Sequence, residues 1–502
     1  MTDQREAIRS NAKFLRNVRP IDPEEIRDYV DGSPHPAVVR QHLREDAVSL
    51  GLIEREDGTF VPVDDEPVRP HRGPVERVPE SYERRLEDFL VDRYGANWHE
   101  DATGDLLRST VRRFKSRYLE GRRVEYDDDV AAGYAIYHLP GYYAAVQYAL
   151  DDLAERGLLD RNLRVLDVGA GVGGPALGLC DYLPDDALLE YHAIEPSAAA
   201  DVLEELLAET GRNVHATIHR TTAGEFDPEA LLEDDAVGFD LVLACNVLSE
   251  LEDPRAVARS YLEVLAPDGT FLAMAPADKN TSVQLREIER DLEGTRVAGV
   301  SGETEPAADE VTVYGPAVRL WADETPSDRG WSFDVRPDLV VPGFQRRLDE
   351  ATPEDDEEHA PGEFVNVDVQ FSYSLLRLDG RRRIDLELEA SEWAKMAEMD
   401  RHVTNRIDLV AAKLSRSLSE SGDDRGGRPG AGNANPLFKV SDGSEAVDHY
   451  AVLTRETSLN RALLEADYGD VLSVEQALVL WNDDEEAYNL VVDEETVVDR
   501  VG

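Results

Sequence analysis

The stretch that most constrains this chain is residues 163–276, where the apolar runs "RVLDVGA", "EYHAIEP", "FDLVLACN" and "TFLAMAP" alternate with helical segments at 197–210 and 254–265. Strands that are apolar along their whole length and separated by helices are what a parallel sheet covered on both faces requires. The first of these strands runs into "LRVLDVGAGVGGPALGL", 163–179, whose glycines fit two patterns. Gly169, Gly171 and Gly174 fit a dinucleotide-binding turn, while Gly169, Gly171 and Gly173 behind Asp167 fit a loop that holds S-adenosylmethionine. Both ligands sit over the carboxyl ends of parallel strands and need bare backbone there, so the glycines alone do not choose between them.

Other residues favour the second pattern. Asp167 lies in the strand two residues before Gly169, where its carboxylate can reach a methionine ammonium or organise the loop; a dinucleotide needs no acid there. Glu195 ends the second strand and can accept hydrogen bonds from both ribose hydroxyls of either ligand. Ala170 completes the loop, and Thr222, Ala223 and Glu225 of "TTAGEF" follow the third strand, where they can edge an adenine. "FDLVLACNVLSELEDPRA" then ends a strand at Cys245, placing Asn246 and Ser249 as candidate catalytic residues facing a methyl acceptor. Cys245 is a candidate cofactor-side residue; as a nucleophile it competes with the simpler reading of a core thiol. The helix, "APDG" turn and strand over 254–276 complete a pattern that dinucleotide dehydrogenases have no reason to reproduce. The expectation is a Rossmann-like class I S-adenosylmethionine methyltransferase core.

The chain's 502 residues exceed what one core supports. Residues 1–75 read as a helical, winged-helix-like domain: Asp22-Pro23 and Pro36 open helices, and "LIEREDGTFVPV" alternates around Asp57-Gly58, a hairpin signal. A winged helix docks on nucleic acid or, equally, serves as a cap packed on the next domain; acidic Glu54, Glu56 and Asp57 at the wing weaken the first use. Residues 76–160 form a helical region preceding the core. Within it, Arg108, Arg112, Arg113, Lys115, Arg117, Arg122 and Arg123 make the chain's clearest basic patch, suited to RNA phosphates or to pairing with Asp127–Asp129. The aromatic-rich "AAGYAIYHLPGYYAAVQYAL", 131–150, reads as a helix packed on the core and broken at Pro140-Gly141. The methyltransferase-like domain spans 161–390, with "VQFSYSLLRLDGRRRIDLEL" read as alternating strands around Asp379-Gly380. Residues 391–502 read as a β-rich domain, a small barrel of the oligonucleotide-binding kind, with a flexible loop at 419–435.

The formal charge is -52, with six Lys against 47 Arg. Such a surface suits a halophilic protein in cytoplasm at molar salt, where screening makes dense carboxylates tolerable. Acidity then describes the solvent more than the partner. Cys180 and Cys245 lie in apolar segments, which points to a reducing cytosol. The N-terminus lacks a signal peptide's apolar stretch and the chain lacks 18 consecutive apolar residues, so no membrane partner is expected.

Taken together, "SRYLEGR" (116–122), "AAGYAIYHLPGYYAAVQYAL" (131–150), "VLDVGAGVGGPA" (165–176), "VLSEL" (247–251) and "FSYSLLRL" (371–378) resemble the mitochondrial small-ribosomal-subunit assembly proteins of the methyltransferase-like class and their prokaryotic relatives. The resemblance spans roughly 105–380. It implies a partner in small-subunit ribosomal RNA or the assembling small subunit, with S-adenosylmethionine held through Asp167, Gly169, Gly171 and Glu195. Family members carry a cysteine cluster for an iron–sulfur centre; the counterpart here, "VYGPAVRLWADETPSDRGWSFDVR" (313–336), has no cysteine, so no metal or cluster is expected. Trp321, Trp331 and Phe333 are the candidates to replace it by hydrophobic packing. The leading function is a methyltransferase-like protein acting on ribosomal RNA or in subunit assembly. The alternatives are a non-catalytic RNA-binding assembly factor and a small-molecule or protein methyltransferase.

Overall fold

A computed structural model describes residues 2–119, 124–232, 238–297, 310–322, 324–328, 330–357, 359–419 and 435–501. The chain divides into two compact units, one formed by 1–233, 238–245 and 337–369, the other by 234–237, 246–336 and 370–502. Arg122 and Arg123, and nearly all of the predicted loop at 419–435, lie outside the described residues.

The first unit begins with four helices, α1 (Thr2–Leu15), α2 (Pro23–Ile26), α3 (Pro36–Glu45) and α4 (Ala47–Leu50), closed by the antiparallel hairpin β1 (Leu52–Glu54) and β2 (Phe60–Pro62). Asp22 caps α2 by accepting from the Glu24 N–H at 2.9 Å, and Pro23 fills the first turn, where no amide is missed. Ile8, Ile26, Leu43, Leu52 and Phe60 share one buried cluster. A second cluster joins Ala47, Ile53 and Val61 to Leu188, and the Glu54 N–H donates to Asn213 Oδ1 at 2.7 Å. The hairpin is thus seated on the neighbouring sheet as a cap, with its Glu54 buried and paired to Arg44.

Helices α5 (Glu80–Tyr94), α6 (Asp101–Leu119) and α7 (Asp128–Ala154) lead into β3 (Asn162–Val168), α8 (Gly174–Tyr182), β4 (Leu188–Ile194), α9 (Ala199–Leu207), β5 (Val214–His219) and β6 (Phe239–Cys245). The strands lie in the order β5-β4-β3-β6, all parallel. The aromatic stretch forms one buried helix, α7, against α8. A Cβ on Gly174 would come within 3.0 Å of Leu139 O, and one on Gly178 within 2.4 Å of Tyr143 O, so the two bare turns of α8 set the approach. The expected break at Pro140 does not occur. Proline removes the amide that would bond Ile136 O, and Gln345, from α12 (Gly343–Glu350), supplies the missing donor: its Nε2 lies 2.8 Å from that oxygen.

In the second unit α10 (Pro254–Leu262), β7 (Leu265–Pro276) and α11 (Lys279–Leu292) are followed by β8 (Thr312–Gly315), β9 (Asp334–Arg336) and β10 (Val369–Arg377). β10 runs antiparallel to both β7 and β8. The expected second strand after Asp379-Gly380 does not form: among the described residues, 381–388 make single backbone bonds, Arg383 to Tyr314 and Leu388 to Leu320. The tail comprises β11 (Arg406–Lys413), β12 (Leu437–Ser441), β13 (His449–Leu453), α13 (Ala462–Glu465), β14 (Val471–Asn482), β15 (Ala487–Val492) and β16 (Val497–Arg500). Its sheet order is β11-β12-β13-β15-β14-β16, and a β11–β14 pairing closes it into a small barrel of OB-like type around Leu409, Leu472, Val479 and Leu490. The fold class is therefore a Rossmann-like α/β core with a helical N-terminal region before it and a β-rich barrel after it in the chain.

Candidate functional site

In the first unit the glycine loop leaves β3 and is pinned to the end of β4. The Gly169 N–H donates to Ile194 O at 2.9 Å and the Gly171 N–H to Glu195 Oε2 at 2.9 Å. Gly169, Gly171 and Gly173 all have positive φ, which favours glycine. At Gly171 a Cβ would meet nothing closer than 3.9 Å, so its bare face opens on free space; at Gly173 it would come within 2.6 Å of Leu203 Cδ1. Ala170 is buried, and its carbonyl accepts from the Gly173 N–H at 3.1 Å, closing the turn that starts α8.

Asp167 is fully buried at the end of β3. Tyr191, on the same face of neighbouring β4, donates to its Oδ2 at 2.5 Å, while Oδ1 has no hydrogen-bond partner among the described residues. Burial pushes the carboxyl up to about 7; the Tyr191 hydrogen bond opposes this and the Glu195 charge adds to it. Glu195, also buried, accepts from Gly171 and, through Oε1, from the Ser197 N–H at 2.9 Å and hydroxyl at 2.5 Å. A carboxylate offers about four acceptor positions, so it retains capacity for a further hydroxyl. Thr222, Ala223 and Glu225 form one turn after β5; Thr222 and Glu225 are exposed and bonded to each other at 2.8 Å. Cys245 is buried at the end of β6, and burial followed by the Asp167 charge raises its thiol well above the usual range, the behaviour of a core thiol.

In the second unit, Asn246 adopts φ 60°, a left-handed conformation in which asparagine is the least strained of the larger residues. Its N–H donates to Met274 O on β7 at 2.9 Å, and its carboxamide has no side-chain hydrogen bond among the described residues. Ser249 is exposed on a short 3-10 turn, Leu248–Glu250, that touches β7 and α11.

The basic patch is largely spoken for. Arg108 is buried and donates to His99 O, Leu348 O and Asp105. Arg112 forks onto Glu363 at 2.7 and 2.6 Å and reaches Asp356 at 3.0 Å; Lys115 bonds Glu363 O and lies 4.5 Å over the Tyr137 ring. Arg113 and Arg117 are exposed. The expected pairing with 127–129 is replaced, because those acids cap α7 and bind Arg93 and Tyr94. Arg381 pairs with Asp379, Arg382 with Glu293 and Arg383 with Asp470.

Hydrophobic packing by three aromatics does not fill the cysteine-free segment. Trp321 is buried, its indole N–H on Asp442 at 2.8 Å, but Trp331 is 44% exposed. The interior is ionic instead. Arg286, fully buried, binds Glu289 at 2.5 Å and Tyr373 O and faces Asp328 at 3.4 Å, while Ser332 and Tyr468 donate to Asp328 at 2.5 and 2.9 Å. Sequence reading missed this network and Tyr191; the one available signal for Tyr191 was its place two residues before Ala193 on the strand next to the one that carries Asp167. Among the described residues no cluster of three His, Cys, Asp or Glu is placed to hold a metal, and no helix is long and apolar enough to cross a membrane.

Residues 166–271 match a methyltransferase domain family. Residues 5–56 and 397–501 match the N-terminal and C-terminal domains of a family of unknown function, DUF8157. No curated protein matches the chain. Similar solved structures include mitomycin 7-O-methyltransferase, 17% identical over 55% of this chain and 75% of that one with a TM-score of 0.22. A Methanococcus maripaludis protein named for S-adenosyl-L-methionine-dependent methyltransferase activity is 14% identical over 34% and 73%, with a TM-score of 0.25. A phosphoethanolamine N-methyltransferase from Haemonchus contortus, solved with S-adenosylhomocysteine, is 18% identical over 40% and 38%, with a TM-score of 0.22. What is established for this chain is a methyltransferase domain within a class I fold.

Proposed function

We propose that this chain binds S-adenosylmethionine on its first unit and methylates RNA, with small-subunit ribosomal RNA or the assembling small subunit as the partner the sequence resemblance implies. The observation that carries the cofactor reading is the Oδ1 of buried Asp167, unpartnered among the described residues, at the base of a turn of positive-φ glycines. A buried acceptor left unsatisfied is costly, and an ammonium group offers it a charged donor. Asp167 would hold the amino-acid end, the bare face of Gly171 would let the ligand approach the backbone, and Glu195 would take a ribose hydroxyl. When bound, the cofactor supplies an electrophilic methyl group on a sulfonium. The chain's task is then to orient the acceptor and keep water out, since positioning rather than added reactivity lowers the barrier.

Calorimetric titration with S-adenosylhomocysteine tests the cofactor reading, and crosslinking to RNA at high salt tests the partner. Absence of saturable binding removes the first; absence of RNA enrichment removes the second. A second reading, a small-molecule or protein acceptor, is favoured by one observation: Arg108, Arg112 and Lys115 of the basic patch all have partners within the chain.

A further inference from the structure

In the first unit, α7 buries its aliphatic residues and keeps a set of rings at the surface of a packed helix. Between 130 and 150 the half-buried residues are Tyr134, Tyr137, His138 and Tyr142, and every other residue is buried. Lys115 covers Tyr137, with Nζ 4.5 Å over its ring. The remaining three are spaced four residues apart and so form one stripe along the helix. His138 lies 4.5 Å from the Tyr134 ring and stacks on Tyr142 at 5.4 Å and 9°, and the Tyr134 hydroxyl donates to that of Tyr142 at 3.4 Å.

Contacts at both ends fix where the stripe lies. A Cβ on Gly174, at the start of α8, would come within 3.0 Å of Tyr142 Cβ, and one on Gly178 within 2.4 Å of Tyr143 O and Val146 Cγ1. Helix α7 therefore runs alongside α8 in the same direction, and its earlier turns extend past the α8 N-terminus, on the side from which the glycine loop arrives. At 1.5 Å per residue, Tyr134 is about 12 Å beyond Tyr142 on that side. There the Tyr126 ring packs on Tyr134 at 5.3 Å, and Tyr126 O accepts from the Ala198 N–H at 3.4 Å. Ala198 is three residues past Glu195. The stripe thus reaches from the loop that follows β3 to the turn that follows β4.

That span matches one part of the cofactor. With Asp167 on β3 taking the amino-acid end and Glu195 after β4 taking the ribose, the sulfonium lies between them, because the sulfur joins those two groups covalently. The turn 222–225 suited to adenine follows β5, one strand further on. The face of a tyrosine ring attracts a cation within about 6 Å, as aromatic cages do for methylated ammonium groups. His138 has no hydrogen bond among the described residues. Burial, followed by the Lys115 charge, lowers its imidazole to about 3, so it faces a cation as a neutral ring.

We propose that Tyr134, His138 and Tyr142 form an aromatic wall beside the sulfonium of S-adenosylmethionine and make the chain distinguish this charged methyl donor from its neutral thioether product. This rests on the cofactor reading above. The attraction ends when the methyl group leaves, so the wall favours exchange of product for fresh donor.

The test is calorimetric titration of the full chain with S-adenosylmethionine and, separately, S-adenosylhomocysteine, comparing wild type with Tyr134→Leu, Tyr142→Leu and Tyr134→Phe. Either leucine variant should weaken S-adenosylmethionine binding by about 5-fold or more and leave S-adenosylhomocysteine within about 2-fold, while Tyr134→Phe, which keeps the π-face, should hold the wild-type ratio. Melting temperatures are read alongside, and a leucine variant that fails to fold leaves the decision to the other. Wild type, which needs no variant to fold, should itself bind S-adenosylmethionine more tightly than S-adenosylhomocysteine. The reverse order overturns the proposal. Equal weakening of both ligands also overturns it, since the rings would then pack against a part the two share, and so does an unchanged ratio. Failure of wild type to bind either ligand overturns the cofactor reading beneath it.

Discussion

Tyr191 donates a 2.5 Å hydrogen bond to Asp167 Oδ2, leaving Oδ1 buried and, among the described residues, without a partner. The two residues stand on neighbouring parallel strands, where Asp167 is level with Ala193, so the phenol reaches across a diagonal of the sheet. One oxygen is anchored and the other is presented. Asp167→Asn keeps an acceptor for Tyr191 but removes the charge offered to an ammonium. The expected loss is about 1.5–3 kcal/mol, or roughly 10- to 100-fold in S-adenosylmethionine affinity by calorimetry, with the melting temperature maintained. Unaltered affinity would remove Asp167 from the site.

The same carboxyl makes binding depend on pH. Burial raises Asp167 to about 7, so the free folded chain holds its proton over a window where the unfolded chain, with an ordinary carboxyl near 4, has lost it. The folded state binds the extra proton, so this group's contribution to stability is present below about 4 and declines as pH rises towards 7. Ligand binding has the opposite slope, because an ammonium needs the ionised form. Cofactor affinity should climb through pH 7, and Asp167→Asn should flatten that rise.

The patch on α6 separates intramolecular from intermolecular charge. Arg112 and Glu363 form a two-pronged pair with both side chains partly exposed, and the hydrogen bond from Arg112 holds the Glu363 carboxyl below its usual range. A double-mutant cycle of Arg112→Met and Glu363→Gln should give a coupling of about 1 kcal/mol at low salt, shrinking as salt rises. The Glu363 part is present above the ordinary carboxylate range and lost as pH falls through its lowered value. Zero coupling at low salt would return Arg112 to the set of residues available to RNA.

How far the sequence could be read follows from range and direction of contact. Local signals were legible: Asp57-Gly58 turns the β1–β2 hairpin, Asp22-Pro23 starts α2, and the glycine loop marks the end of β3. Asp167 was legible as an acid in the right place, but not the single lone oxygen, which depends on a phenol one strand away. Arg112 with Glu363 was not legible, because 251 residues separate partners that only the fold brings together. Arg286 and Glu289 read as an ordinary i, i+3 pair on a helix surface; both are buried because β10 and Asp328 close over them. Trp331 misled in the opposite direction, since an aromatic beside another in a cysteine-free segment looked like core.

That buried network should be sensitive to removing one member. Arg286→Met leaves Glu289 and Asp328 without their cation in an environment that already raises Glu289 by burial. Breaking a buried ion pair in this way costs about 3–5 kcal/mol, read as a fall in urea midpoint. Replacing Arg286, Glu289 and Asp328 together by apolar residues of similar volume should recover much of the loss, because no charge then remains buried alone. Equal destabilisation by the single and triple variants would show that shape rather than charge governs the site.

Gln345 supplies α7 with the hydrogen bond that Pro140 takes away. Its Nε2 lies 2.8 Å from Ile136 O, and its Oε1 accepts from the Asn366 N–H at 3.1 Å, so one fully buried amide ties α7, α12 and the chain at 366 together. Gln345→Leu fills similar space but orphans both backbone groups, at a cost of about 1–3 kcal/mol each before relaxation. Pro140→Ala restores an amide able to reach Ile136 O along the helix, so it should be far less harmful in the Gln345→Leu background than the sum of the two changes suggests. The coupling should have the sign of rescue in thermal melts or urea titration. Additive effects would mean that α7 bears an unsatisfied carbonyl at Ile136 without consequence, against the cost expected for a buried acceptor.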